Sequence, residues 1–244
     1  MTSTRLKRCP NIWLNIVQDT QTIINQLSIY ESKTMTYFSE TLLDAMADAL
    51  TIDGYLIIDK SMPDALLQNL SDSFQALNQS DFKAAGIGRQ SDFQLHESIR
   101  SDKIHWITNT TVTTSDFLQW MESLRVGLNR RLFLGLFDYE SHFAYYPIGA
   151  FYKKHVDAFR DSRKSAKSNR VLSTVLYLNK DWHTSHGGEL VVYHENGQQI
   201  LEKILPEFGR MIIFLSEKFP HEVLAGNRER KSIAGWFRIN ESQI

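Results

Sequence analysis

The sequence predicts an α+β protein in which a β-rich half, wound as a sandwich or jelly roll, is buttressed by helices that precede it. Three observations predict this. Apolar residues recur at helical spacing between Ser39 and Leu136. After Asp138 the pattern shortens to eight β-rich runs separated by turn residues. The two kinds of segment are segregated along the chain, helices first, which suits helices packed on one sheet rather than alternating βαβ units.

Residues 1–34 are polar and lack a clear period. They read as an extension, either an amphipathic helix over Ile12–Leu27 or a weakly ordered lead-in, with Met35 as an alternative start. Residues 35–244 read as one domain, with helical support over 39–136 and the β core over 138–240. SETLLDAMADAL has Ser39 as its N-cap and Leu42, Leu43, Met46 and Leu50 on one face. DGYLIID (53–59) predicts a short buried strand, and DALLQNLSDSFQALN (64–78) a second amphipathic helix. AGIGRQSDFQ (85–94) is punctuated by glycine and reads as a loop. SDFLQWMESLRVGLNRRLFLGL (115–136) predicts a longer helix through Leu118, Met121, Leu124 and Leu128. The strands follow as SHFAYY, AFYKKHV, VLSTVLYLN, GELVVY, QILEKILP, RMIIFLS, HEVL and RKSIAGWFR.

Bulk properties narrow the function classes. With 244 residues the chain can bury a core without disulfides or structural metals. A net charge of −1 and a pI near 6.7 supply no basic field for nucleic acid. The single cysteine, Cys9, excludes an internal disulfide and a cysteine-rich zinc module. No apolar run approaches the ~20 residues of a membrane span, and no signal peptide is evident, so a cytoplasmic location is expected.

Chemistry concentrates in FYKKHVDAFRD (151–161). Alternation along an extended chain puts His155 and Asp157 on one side. Alone, such a pair is most often a surface hydrogen bond. His221 lies 64 residues after Asp157, near a strand start, and the three types together match the facial triad of non-haem iron oxygenases. Three protein ligands on one face leave three coordination positions for cosubstrate and O₂. Nine positions on, Arg230 opens RKSIAGWF, whose alternation turns it inward with Ser232 and Ala234. A buried arginine is costly unless it meets an anion, and its planar fork suits a carboxylate.

The segments HVD, VLYLNKDW, GGEL, PHEV and ERKSIAGWF resemble the 2-oxoglutarate/Fe(II) dioxygenases of the prolyl hydroxylase type. ESIRSDKIHWI, preceded by GIGR, is similar to the IRxDKIxWI motif of the hypoxia-inducible-factor prolyl hydroxylases. LFLGLFDYESHFAYYPIGAFYKKH and FLSEKFPHEVLAGNRERKS resemble the bacterial branch, so the likeness covers roughly residues 40–240. It implies a double-stranded β-helix, the jelly-roll form, for the core. It implies Fe(II) on His155, Asp157 and His221, and a 2-oxoglutarate distal carboxylate on Arg230 and the Tyr177 hydroxyl. Tyr146 would line the cosubstrate pocket, and Leu190 and Trp236 would wall it. Ala234 stands where the animal enzymes carry threonine, so one cosubstrate contact is expected to be either missing or replaced by water.

For substrate the resemblance points to the loop Gly86–Trp106, with Arg100, Asp102 and Trp106, and to Arg170 at the site mouth. Read alone, Arg100 and Asp102 would be a surface ion pair of little worth. Arg170 ends the basic run RDSRKSAKSNR (160–170), either a solvated loop or a guide for an acidic partner. His96, His105, His142, His183, His186 and His194 have no ligand spacing that rivals the triad. The implied reaction is C4 hydroxylation of a prolyl residue in a protein, with elongation factor Tu as candidate. It consumes O₂ and 2-oxoglutarate, releases succinate and CO₂, and uses ascorbate as reductant. The alternatives are the same chemistry on a non-prolyl or small-molecule substrate, and a non-catalytic 2-oxoglutarate or oxygen sensor.

Overall fold

The computed structural model describes residues 37–86, 98–158 and 169–240. The expected helix over Ile12–Leu27, nearly all of the 85–94 loop, and 160–168 of the basic run lie outside the described residues. The elements below belong to one unit that begins at Phe38.

Among the described residues, three α-helices come early. In α1 (Glu40–Ile52) the Ser39 hydroxyl accepts from the Leu42 amide at 3.2 Å, and the buried face is Leu43, Met46, Ala47 and Leu50. Leu42, expected on that face, is exposed. α2 (Asp64–Ala76) buries Leu66, Leu67, Leu70 and Phe74. α3 runs Val112–Leu132, three residues earlier and four shorter at its end than the expected 115–136. Its start is fixed by Thr111, whose side chain caps the Thr114 amide. Its end is fixed by Phe133 in the left-handed region and by the Asn129 amide, which bonds both the N–H and the carbonyl of Leu136. The backbone groups that would have continued the helix are thereby satisfied, and the chain turns into a strand.

The strands form two sheets. The larger joins β1 (Tyr55–Ile58), β9 (Met211–Leu215), β6 (Arg170–Tyr177), β11 (Arg230–Ile239), β4 (Leu136–Tyr146), β3 (Lys103–Trp106) and β2 (Lys83–Ala84), in that order. The smaller joins β5 (Tyr152–His155), β10 (His221–Val223), β7 (Leu190–Tyr193) and β8 (Ile200–Ile204). All the pairings within them are antiparallel. From β4 to β11 the chain winds back and forth between the sheets, which is a jelly roll.

All eight expected strands are present, with three corrections. β4 begins five residues before SHFAYY, because Asp138 and Glu140 sit inward against arginines and continue the strand. β1 is a half-exposed edge strand, since only β9 pairs with it. β3 lies inside the stretch 86–106 that read as a loop.

The sheets sandwich a core of Ala144, Tyr146, Tyr177, Leu190, Val192, Ile204, Ile212, Phe214 and Val223. Each fully buried aliphatic or aromatic side chain there is worth about 1.5–3 kcal/mol. The helices cover the other face of the larger sheet through Phe74–Phe143 and Phe117–Tyr139 ring contacts. Gly235 is dictated by this packing. A Cβ there would stand 2.1 Å from the Tyr139 hydroxyl, which bonds Thr174 Oγ1 at 2.9 Å. The helices thus hold the larger sheet from behind, leaving its inner face to carry chemistry.

Candidate active site

Strand β5 and the bend after it deliver His155 and Asp157, and the first residue of β10 delivers His221. His221 lies opposite His155 in the β10–β5 ladder. His155 Nε2 is 3.5 Å from Asp157 Oδ1, and His221 Nε2 is 3.8 Å from Asp157 Oδ2. One ligand atom from each of the three lies within 4.8 Å of the others, a grouping able to hold a metal ion. The Nδ1 atoms bond backbone carbonyls, His155 to Lys153 at 2.9 Å and His221 to Phe219 at 3.0 Å. This fixes each ring and turns its Nε2 lone pair toward the centre.

Burial lowers the His221 pKa to about 4, His155 beside it pushes the same way, and Asp157 only partly offsets them. Burial alone would raise Asp157, but His221, His155 and the Ser173 hydroxyl outweigh it and hold the carboxyl well below the usual carboxylate range. Neutral imidazole and ionised carboxylate are the forms a metal requires. Sequence reading missed Ser173. Its Oγ donates to Asp157 Oδ2 at 2.7 Å and bonds Ser216 Oγ at 2.9 Å, both serines being buried. With Oδ2 engaged, Oδ1 is the freer oxygen, which favours one-point ligation and leaves coordination positions open.

On the inner face of the larger sheet, Arg230 lies opposite Tyr146 on β4, and Ser232 opposite Tyr177 on β6. The guanidinium stands 4.8 Å from the Tyr146 ring centre and 5.1 Å from that of Tyr177. Arg230 is 3% exposed; its Nη1 reaches Ser232 Oγ at 3.2 Å, while its Nε and the Tyr177 hydroxyl, close as the two side chains are, meet no partner in hydrogen-bonding geometry among the described residues. Burial raises both tyrosine hydroxyls above their ordinary pKa, with the Arg230 cation acting against it. A buried cation and two unpaired donors together ask for an anionic acceptor. The donor set at the triad suits Fe(II), and this cradle suits the carboxylate of 2-oxoglutarate.

Leu190 is buried opposite Val223 and Ile204. Trp236 is buried, with the Arg170 guanidinium 3.5 Å over its ring. Arg170 is also held by Glu140 through Nε and Nη2 at 3.0 and 2.8 Å. Half-exposed Trp106 meets His142 edge-on at 5.2 Å, and His142 meets Trp236 at 5.5 Å. Arg100 and Asp102 are not the surface pair that their spacing suggests. They are a bidentate pair at 2.8 and 2.7 Å with side chains 12% and 0% exposed. Ala234 is half-buried on the same inner face, opposite His142.

Residues 141–238, which include the triad and Arg230, match the model of the 2OG-Fe(II) oxygenase superfamily. The chain is similar to the crystal structure of a Pseudomonas putida prolyl-4-hydroxylase. That likeness has 36% identity and a TM-score of 0.71, covering 81% of this chain and 99% of the other. It is also similar to a Trichoplax adhaerens prolyl hydroxylase solved with a hypoxia-inducible-factor peptide, at 27% identity and TM-score 0.70, covering 82% and 90%. Human Egl nine homolog 1 is 26% identical over 206 residues, 80% of this chain and 46% of that protein. The chain therefore spans about half the length of the curated relatives it matches. With a relative 36% identical over nearly its whole length, and a family match that spans the two histidines, the aspartate and the buried arginine, the chain belongs to the 2OG-Fe(II) oxygenase superfamily.

Proposed function

We propose that the protein is a prolyl 4-hydroxylase dependent on Fe(II), 2-oxoglutarate and O₂, acting on a prolyl residue of a protein. The observation that carries this reading is the presence, on the two sheets that face one core, of the open His155–Asp157–His221 face and the unpaired donors of Arg230 and Tyr177. A structural metal site would close its coordination sphere and would need no anion cradle beside it. The choice of proline is supported by the named activities of the Pseudomonas and Trichoplax relatives.

His155, Asp157 and His221 hold the iron, and Ser173 steadies the second carboxylate oxygen. Arg230 and Tyr177 take the distal carboxylate of 2-oxoglutarate, with Tyr146 against them. Leu190 and Trp236 keep water out. When bound, iron and 2-oxoglutarate together reduce O₂, placing one oxygen atom in succinate, which forms with CO₂, and the other on the prolyl C4. Trp106 and Arg170, with the Arg100–Asp102 pair behind them, border the side from which a peptide enters. Ascorbate is the reductant we assign for keeping the iron ferrous.

Elongation factor Tu is the candidate substrate, on the resemblance of the sequence to the bacterial branch. The lone Cys9 and the lack of any described helix long and apolar enough to cross a membrane suit a cytoplasmic setting.

The test compares prolyl peptides from cells expressing the native chain or His155→Ala. Peptides one oxygen heavier only with the native chain are expected, elongation factor Tu among them. A heavier prolyl peptide from another protein would replace the candidate. No such peptide, with succinate still produced by the purified protein, would transfer the chemistry to another substrate. Binding of iron and 2-oxoglutarate without any succinate would leave a sensor.

A further inference from the structure

Tyr152 and His155 stand three apart on β5, and in a regular strand they would point to opposite faces. They do not, because the register slips: His221 lies opposite His155 while Val223 lies opposite Tyr152, so two steps along β10 answer three along β5. Such an extra residue re-aims the side chains around it. Here it stacks the Tyr152 ring on the His155 imidazole, with centres 3.6 Å apart and planes within 16°.

The stack continues on its far side. The Arg100 guanidinium lies 4.2 Å from the Tyr152 ring centre. Arg100 pairs with Tyr152 as an isolated antiparallel bridge, flanked by bonds from Ser101 N to Phe151 O and from Lys153 N to Ile99 O. Its Nε and Nη2 are locked onto the fully buried Asp102, and its Nη1 donates to Gly86 O at 3.2 Å. Three planar groups are therefore layered, the outermost clamped by a buried carboxylate and the innermost an iron ligand. A cation over an aromatic face is favourable, the more so when desolvated.

Resting on the iron reading above, we infer that Arg100 and Tyr152 are positioning residues for His155: the Arg100–Asp102 pair fixes the Tyr152 ring, and that ring fixes the imidazole plane that presents Nε2 to the metal. Groups that orient a metal ligand without touching the metal are typically worth 10- to 100-fold in metal affinity. The segment Ile99–Asp102 thereby acts on the metal centre from behind the ligand strand.

Co(II) added anaerobically to the metal-free protein, without 2-oxoglutarate, is the probe. Tyr152→Leu should weaken Co(II) binding by about 10-fold and shift the visible d–d spectrum of the saturated protein. Tyr152→Phe, which keeps the ring, should match the native protein in both. Arg100→Lys keeps the charge for Asp102 and loses the planar face, so it should shift the spectrum in the same direction and by less. A purely structural role would lower the melting temperature of the metal-free protein and leave the saturated spectrum unchanged. An unshifted spectrum with native affinity in Tyr152→Leu overturns the inference while the iron site stands. Should Tyr152→Leu fail to fold, an unshifted spectrum in Arg100→Lys overturns it. A native protein that takes up no Co(II) sinks the iron reading and this inference together.

Discussion

Two arginines on the inner face of β11, eight residues apart, are in opposite states. Arg238 is saturated: Asp138 takes Nε at 2.8 Å and also bonds Nη2, and Glu140 takes Nη1 at 2.7 Å. Arg230 is more deeply buried, has no acidic partner among the described residues, and leaves its Nε unbonded. Burying a cation without a counter-charge is expensive, so the fold tolerates at Arg230 what it avoids at Arg238. The difference separates a site from a scaffold. On the function proposed above, the arginine without a counter-charge is the one that would receive the cosubstrate carboxylate, and the arginine with two acids braces the sheet.

The sharpest way to break this comparison is Arg230→Met. If the unpaired cation is kept for the cosubstrate, 2-oxoglutarate affinity in the metal-loaded, anaerobic protein should fall by about 100-fold, near 3 kcal/mol. Thermal stability of the ligand-free protein should hold or rise, because an unpaired buried charge has been replaced by packing. Calorimetric titration and a melting curve read both. Unchanged affinity would make Arg230 another structural arginine.

That contrast also marks what the sequence could tell. The triad and Arg230 were legible because metal chemistry and burial cost restrict residue type at strand positions, and strand alternation supplies the faces. Asp138 and Glu140 were not, since charged residues in LFLGLFDYE break the apolar pattern of a strand until Arg238 and Arg170 are seen to pair with them. Tyr152 was hidden for a related reason. Its alignment with His155 depends on a register slip against β10, about 70 residues away, and local period predicts the opposite face. Ser173 looked like any polar strand residue, and the end of α3 depended on Asn129 recapturing Leu136. Apart from the end of α3, what failed to show in each case is a partner distant in sequence.

His142 tests the middle of the same face. It lies opposite Ala234, midway between the two arginines, and it is buried. Burial first, with Arg100 and Arg170 adding to it and Asp102 opposing, lowers its pKa from 6.5 to about 4. The unfolded chain then takes up a proton that the folded chain refuses. This stabilising contribution is present above pH 6.5 and is lost as the pH falls toward 4, amounting to about 3 kcal/mol. Urea unfolding of His142→Leu and the native protein between pH 7 and 4.5 should show the variant with the flatter profile. Parallel profiles would mean that His142 protonates in place.

Ser173→Ala sharpens the comparison at the metal end. It frees Asp157 Oδ2 and leaves Ser216 Oγ without that partner. Fe(II) or Co(II) affinity should drop by about 10-fold, with 2-oxoglutarate affinity of the saturated protein nearly unchanged, since Arg230 and Tyr177 are untouched. Parallel losses in both would show the two subsites to be one coupled unit.

Arg238→Met should have the smallest effect, and it completes the comparison from the paired side. Its partners Asp138 and Glu140 are 38% and 20% exposed, so the carboxylates left behind can be rehydrated, and Arg170 still answers Glu140. Solvent-screened pairs of this kind contribute about 1 kcal/mol or less. The melting temperature should fall by a few degrees, and the 2-oxoglutarate dissociation constant should stay at its native value. A loss of cosubstrate affinity comparable to that of Arg230→Met would erase the distinction between the two ends of β11. The native value would leave eight residues of one strand separating the arginine that binds from the arginine that braces.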